Sequence, residues 1–333
     1  MSTIPIQAQI FQAIKSKLSS NISMVDEIAS VLDVSTDSAY RRLRGEKALS
    51  LEETYKLCNR FQISLDNLLN LQTNGFLFTG NFVKSESFRF EEWLQTAVQQ
   101  VKYMNDFAEK QLIYLAKDLP LFHHFHFKEI AAFKHYFWMK NIVHHPSFAS
   151  KKFSVSDYPD EYFELGKKAL GYYNQLHTIE VWNIESINST IRQIEYYHDS
   201  NLFSSEDEIF AVYEALEKTI DHLEVQATEG YKFNVDEGVN KPLGIYQMYF
   251  NEIVILENSL LAILNGKKTA FLIHNVINVM ITRDVAFCDN MYGYIQNLLK
   301  KSTLISTVSE RERTRFFKYL RQKIQSRKQN LKV

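Results

Sequence analysis

The chain of 333 residues has only two cysteines, Cys58 and Cys288, in separate regions and with no paired-ligand spacing. That excludes a disulfide framework and a cysteine-based zinc finger, and it suits a reducing compartment. Proline (5) and glycine (10) are scarce for this length, which favours long helices over a loop-rich β architecture. No run of 18 apolar residues occurs, and no basic stretch followed by an apolar core opens the sequence, so a cytoplasmic protein with no membrane partner is expected. Net charge is −1, which rules out a generic polycation. Catalytic signatures are missing too: there is no GxSxG, GxGxxG or P-loop, and Gly266-Lys267-Lys268-Thr269 lacks the upstream glycine. Neither an enzyme nor a cofactor is expected. What the chain has in excess is aromatic residues, with 24 Phe and 18 Tyr, enough for large cores and an oligomer interface.

The informative stretch is Ser23 to Gly45, SMVDEIASVLDVSTDSAYRRLRG. Ser23 suits a helix N-cap, with Asp26 and Glu27 in the first turn. Val25, Ile28, Ala29 and Leu32 make a one-sided apolar stripe, and Asp33 tolerates the left-handed turn that follows. Ser35 caps a second helix of about Thr36 to Arg44, stopped by Gly45. Wound at 100° per residue, that helix buries Ala39 and Leu43 and turns Asp37, Tyr40, Arg41 and Arg44 outward, with Ser38 and Arg42 on the flanks. Arginine offers a bidentate fork to guanine or a charge to phosphate, and Ser or Asp can meet base edges. Base-edge candidates are therefore Thr36, Asp37, Ser38, Tyr40 and Arg41; phosphate candidates are Arg42, Arg44 and Lys47. Further on, Ser50-Leu51-Glu52-Glu53 reads as a capping box opening a helix to Phe61, with Leu51, Tyr55, Leu57, Cys58 and Phe61 as its core. A fifth short helix starts at Ser64.

These residues resemble the lambda repressor-like (Cro/repressor-type) DNA-binding domains. The resemblance covers about Ile10 to Leu69. It rests on Ile28-Ala29, Leu32-Asp33-Val34-Ser35, Arg41, Arg44-Gly45 and Phe61-Gln62-Ile63-Ser64-Leu65-Asp66-Asn67-Leu68-Leu69. It implies five helices and a helix-turn-helix whose second helix enters the DNA major groove. Asp33 stands where the family usually has glycine. Arg42 stands where it usually has an apolar residue, with Leu43 one place on to take over the packing. From Met1 to Leu71 there are eight Lys/Arg and eight Asp/Glu, so positive charge is local to Arg41, Arg42, Arg44 and Lys47.

Beyond a polar and aromatic connector (72–90), residues 91–237 read as a helical domain. Apolar spacing at Leu94, Val98, Val101, Met104, Ala108, Leu112 and Leu115 predicts one long helix from Glu91 to about Lys117, suited equally to a dimer contact or a core. Six of the ten histidines crowd into 123–145. Their spacing matches no metal motif, so a helix over 128–143 with histidines at its ends is expected and a metal is not. Pro159–Leu176 is again helical. Ile184–Ile194 and Ile209–Ala227 make a helical hairpin, without the 34-residue period of a helical repeat.

Residues 238–333 read as α+β and continuous with the helical domain. Ile245–Ile255, Ser259–Leu264 and Thr269–Thr282 suggest a small antiparallel sheet with a hairpin at Asn265-Gly266, followed by helices over 291–301 and 310–328. Polar His274, Asn275, Asn278 and Thr282 in that apolar setting are candidates for an effector pocket. The expected fold is thus mainly α: a five-helix DNA-binding domain (1–71), then a large helical domain with a small antiparallel sheet. The expected function is a homodimeric transcription regulator of double-stranded DNA with a small-molecule or protein effector. The alternative is a helical interaction scaffold located by its DNA-binding module.

Overall fold

The computed structural model describes residues 5–18, 22–61, 63–69, 75–80, 83, 85–253 and 258–331. Asn21, Gln62, Leu71, Asn74, Asn81, Phe82 and Ile255 lie outside them. The chain forms two compact units, Met1–Leu77 and Phe78–Val333.

Five helices build the N-terminal unit: α1 (Ile6–Lys15), α2 (Met24–Leu32), α3 (Thr36–Leu43), α4 (Leu51–Arg60) and α5 (Leu65–Leu69). Its core is Ile10, Phe11 and Ile14 of α1, Ile28 and Leu32 of α2, Ala39 of α3, and Leu57 and Phe61 of α4 and its C-cap. Sequence spacing also assigned Leu51 and Tyr55 to that core, but they are 81% and 70% exposed. The capping box fixes the rotation of α4, and with Leu57 inward, positions 51 and 55 turn to solvent.

The C-terminal unit departs from the sequence expectation. A seven-stranded mixed sheet runs through it in the order β6-β5-β4-β1-β2-β3-β7. Its strands are β1 (Lys110–Ala116), β2 (His177–Trp182), β3 (Tyr246–Phe250), β4 (Ser259–Leu264), β5 (Lys267–Ile273), β6 (Val279–Thr282) and β7 (Thr303–Leu304). The centre, β1-β2-β3, is parallel and the rest antiparallel. The fold is therefore not mainly α with a small antiparallel sheet. The helix expected from Glu91 to Lys117 is instead α6 (Phe90–Asn105), then a turn, then β1. Asn105 ends α6, its side-chain amide donating to Val101 O at 3.1 Å and Tyr172 O at 2.8 Å. Beyond it, Leu112-Ile113-Tyr114-Leu115-Ala116 is buried on both faces, as a parallel strand requires.

Both faces of the sheet are covered. On one lie α6, α7 (Lys128–Phe137, continued by a π turn to Ile142), α8 (Asp160–Asn174), α9 (Asn188–Asp199), α10 (Glu206–Glu229) and α12 (Glu310–Asn330), sharing the large core with Leu112, Tyr114, Trp182, Tyr246 and Met248. On the other, α11 (Val285–Lys300) packs Cys288, Met291 and Ile295 onto Ile113, Leu115, Ile179, Val181, Leu261 and Ala270. Gly166 of α8 permits close packing, since a Cβ there would stand 2.1 Å from the buried Phe125 ring. The Asn265-Gly266 hairpin joins β4 to β5 with both residues at positive φ, 46° and 77°.

The histidine run packs inward. His123, His124 and His126 lie in a 3₁₀ turn, Leu121–His126, and His135 in α7; all four are buried. His123 Nε2 meets Glu180 Oε1 at 2.8 Å. Glu180, wholly buried on β2, also accepts from Tyr173 Oη, Trp182 Nε1 (2.7 Å) and Tyr246 Oη (2.9 Å). Burial pushes this carboxyl up, but the His123 ring and the Tyr173 and Trp182 donors outweigh that and hold it at about 2. No group of three or more metal-ligating side chains gathers among the described residues. Likewise, no helix among them is long and apolar enough to cross a membrane.

Candidate nucleic-acid interface

Two side-chain caps and a left-handed residue set the angle between α2 and α3. Ser23 Oγ accepts from Asp26 N (3.4 Å), and Ser35 Oγ accepts from Ser38 N (3.3 Å). Asp33 takes φ 55°, ψ 53°, and Val34 N donates back to Ala29 O at 3.0 Å. This closes α2 as glycine would, with the short Asp side chain tolerating the conformation. Ala39, fully buried, is small enough to let α3 sit close against α2.

With Ala39 inward, α3 turns Thr36, Asp37, Tyr40 and Arg41 to solvent, joined by Arg44 at its C-cap. Tyr40 is 49% exposed. Past Arg44 the chain turns at Gly45 (φ 77°), where Glu46 N and Lys47 N both donate to Arg41 O, at 2.9 and 3.2 Å. Lys47 is thereby held in the loop beside the helix end. Gln7, from α1, braces the same loop: its Nε2 donates to Arg42 O (2.7 Å) and Lys47 O (2.9 Å), and its Oε1 accepts from Leu49 N (2.9 Å). Gln7 was missed by sequence reasoning, because nothing local links it to a loop 40 residues on. The exposed cations are lightly engaged. Glu46 approaches Arg44 at 3.4 Å and Arg41 at 3.8 Å, surface pairs that contribute little and yield readily to a phosphate.

Arg42 is the exception among the eight sequence candidates. It is 2% exposed and occupies the position where the apolar residue was expected. Its Nε donates to Glu53 Oε2 (3.1 Å), its Nη2 to Glu53 Oε1, and its Nη1 to Ser38 O (3.0 Å) and Ser38 Oγ (2.6 Å). The assignment of Arg42 to phosphate is thus corrected: it is a strut between α3 and the start of α4. Leu43 still packs at the edge of the core. Ser38, half-buried, spends its hydroxyl oxygen on Arg42, which leaves Thr36, Asp37, Tyr40 and Arg41 as the freely presented set. The Glu53 hydrogen bond raises the Arg42 guanidinium further, and Arg42 in turn lowers the Glu53 carboxyl. A signal existed in the sequence. An arginine at an apolar position must find a buried acid, and Glu53, read only as a capping residue, was available.

Residues 10–78 match the BetR domain family. This is a family of helix-turn-helix-like DNA-binding domains. The matched segment thus begins within α1, takes in α2 to α5 and runs past Leu71 to the boundary between the two units. The comparison reaches no other part of the chain. Neither the curated proteins nor the solved structures contain a match to it.

The second candidate site, on the β5–β6 hairpin, does not assemble as expected. Asn275 Oδ1 accepts from Ile277 N (3.1 Å) and Asn278 N (2.8 Å), and Asn278 Oδ1 accepts from Val83 N (3.2 Å). Thr282 Oγ1 accepts from Asp284 N (3.1 Å), and His274 is exposed. Three of these four polar residues serve the turn and its neighbours, and none of the four lines the adjacent cavity. Their apolar neighbours Ile273, Val276, Ile277, Val279 and Ile281 do.

Proposed function

We propose that the protein is a sequence-specific transcription regulator that reads duplex DNA through α3. The observation that carries this is the solvent face of Thr36, Asp37, Tyr40, Arg41 and Arg44, with Lys47 beside it, inside a segment matching a DNA-binding family. Such a helix places its N-terminal side chains against base edges, while cations at its far end meet the backbone. In this reading the chain acts as a homodimer on an inverted repeat whose half-sites lie about one helical turn, roughly 34 Å, apart. The C-terminal unit supplies dimer contacts and an effector response.

Selection of random duplexes by the full chain at about 150 mM salt tests the reading. A palindromic motif is expected; selection of no motif would sink it. On the selected duplex, Arg41→Ala is expected to cost about 1–3 kcal/mol and to relax preference at one position. Lys47→Ala should weaken all sequences alike and flatten the salt dependence. Unchanged affinity in both variants would show that another face binds.

A further inference from the structure

The C-terminal unit contains a half-open cavity of about 700 Å³ that no assigned role uses. It lies between α6, the sheet edge β4-β5-β6 and the turn that carries the histidines. Its volume falls inside the range of about 300–1,000 Å³ typical of small-molecule sites. Val101, Met104, Leu112, Leu260, Phe271 and Ile277 supply apolar wall. The rim is exposed, with Arg89, Glu92 and Gln100, whereas the floor is deeply buried, with Tyr114, His124, Lys134 and Trp138. Trp93 Nε1 donates to Ile277 O at 3.1 Å, and Thr79 bridges Ile281, so the walls on either side are tied together without a ligand.

The chemistry of floor and rim restricts the occupant. Lys134 Nζ donates to Asp118 Oδ2 (3.2 Å) and Gln193 Oε1 (2.9 Å). At the rim Arg89 pairs with Glu92 at 3.2 Å. Each cation is matched by one carboxylate, so nothing remains to balance a net charge on a ligand, and burying an unbalanced ion is costly. A polar demand nevertheless exists. Both ring nitrogens of buried His124 lack a partner among the described residues. A neutral imidazole presents one donor and one acceptor, and a half-turn of the ring exchanges nitrogen and carbon positions at the same shape. Among the described residues Lys134 meets two acceptors and has a third N–H. We infer that this cavity binds an uncharged, mostly apolar small molecule whose single polar head, a hydroxyl or an amide, is received by His124 and Lys134. The inference stands on the cavity alone and not on the DNA reading; ligand binding by a chain that selects no duplex would separate the two.

The neutral fluorophore N-phenyl-1-naphthylamine is the probe, titrated into the full chain and then displaced by decanol, decanoate or decylamine. Saturable one-site fluorescence is expected, with decanol displacing the probe at least tenfold more effectively than either charged analogue. Ala97→Trp, placed on the cavity wall from α6, should abolish the signal while circular dichroism is unchanged; if that variant is misfolded, Gln100→Trp from the exposed rim replaces it. His124→Phe, which keeps ring bulk and removes both nitrogens, should weaken decanol about tenfold, a loss of about 1.4 kcal/mol. Absence of saturable binding, probe binding unaffected by the folded tryptophan variants, or decanoate matching decanol would each overturn the assignment.

Discussion

Arg42→Ala is expected to unfold the N-terminal unit instead of merely loosening a grip on phosphate. The guanidinium is 2% exposed and makes four hydrogen bonds, two to the Glu53 carboxylate and two to Ser38. Removing it leaves the Glu53 carboxylate with only the Ser50 N–H and opens a gap between α3 and α4. Breaking a buried ion pair from one side costs about 3–5 kcal/mol, and since Glu53 keeps 21% of its side chain in water the lower end applies, about 3 kcal/mol. A unit of this size buries a smaller share of its surface than a large domain and holds little stability in reserve. Hydrogen exchange read on peptides from 24–61 is the measurement: amides of α2, α3 and α4 should lose protection together, while those of the C-terminal sheet keep theirs. Replacing both partners, Arg42→Met with Glu53→Gln, should restore part of the protection, because no charge is left unpaired and the Gln side chain can still accept from Ser50 N. If Arg42→Ala kept full protection and lost only DNA affinity, Arg42 would be a phosphate contact and the strut reading would be wrong.

Arg42 also shows where sequence reading ends. Ser23, Asp33, Ser35, the Ser50–Glu53 capping box and the Asn265-Gly266 hairpin were all legible, since each is encoded within a few consecutive residues. The fate of Arg42 depends on Glu53, eleven positions on, and on which face α4 turns inward. That rotation also put Leu51 and Tyr55 outside. The sheet was harder still. β1 pairs Gln111 with His177 and Lys110 with Leu264, so its partners lie far along the chain. A five-residue run buried on both faces carries no period to distinguish strand from helix. Leu112 and Leu115 happened to continue the helical spacing of α6, and the turn at Asn105-Asp106 was too short a signal to interrupt it. At the cavity the error was one of chemistry. Polar residues of the β5–β6 hairpin were singled out, yet a turn consumes such groups for its own backbone, and the wall is made by the apolar residues between them. The polar floor comes instead from Asp118, His124, Lys134 and Gln193, which only the tertiary fold brings together.

Mild acid should separate the two units. All ten histidines lie beyond residue 122, and none is in the N-terminal unit. Burial pushes His124 and His126 well below their ordinary value, His135 to about 3 and His222 to about 4. In each the folded state holds the neutral ring. As pH falls below the unfolded value near 6.5, the unfolded chain takes up a proton that the folded chain refuses. Stability is therefore complete above about pH 6.5 and drains away as the folded values are approached, at up to about 1.4 kcal/mol per pH unit for each ring. His135 and His222 together remove up to about 3 kcal/mol per unit once below about pH 5.5, and His124 and His126 act in the same direction, a large share of an ordinary domain's stability. Glu180 reinforces the trend below about pH 4.5, since its depressed carboxyl keeps its charge while the unfolded chain binds a proton. The N-terminal unit has no such histidine load; its Glu53, lowered by Arg42, begins to lose its contribution only below about pH 4.5, as Glu180 does. Trp93, Trp138 and Trp182 all belong to the C-terminal unit, so tryptophan emission reports it alone. A cooperative red shift between about pH 6 and 4 is expected, with part of the helical dichroism surviving it. His135→Phe, which keeps the tilted ring contact with Phe90 and removes one proton-linked ring, should move the midpoint to lower pH. Emission that stays constant to pH 4 would mean that these rings take up protons in place, and that the interior around His124 tolerates the charge its surroundings argue against.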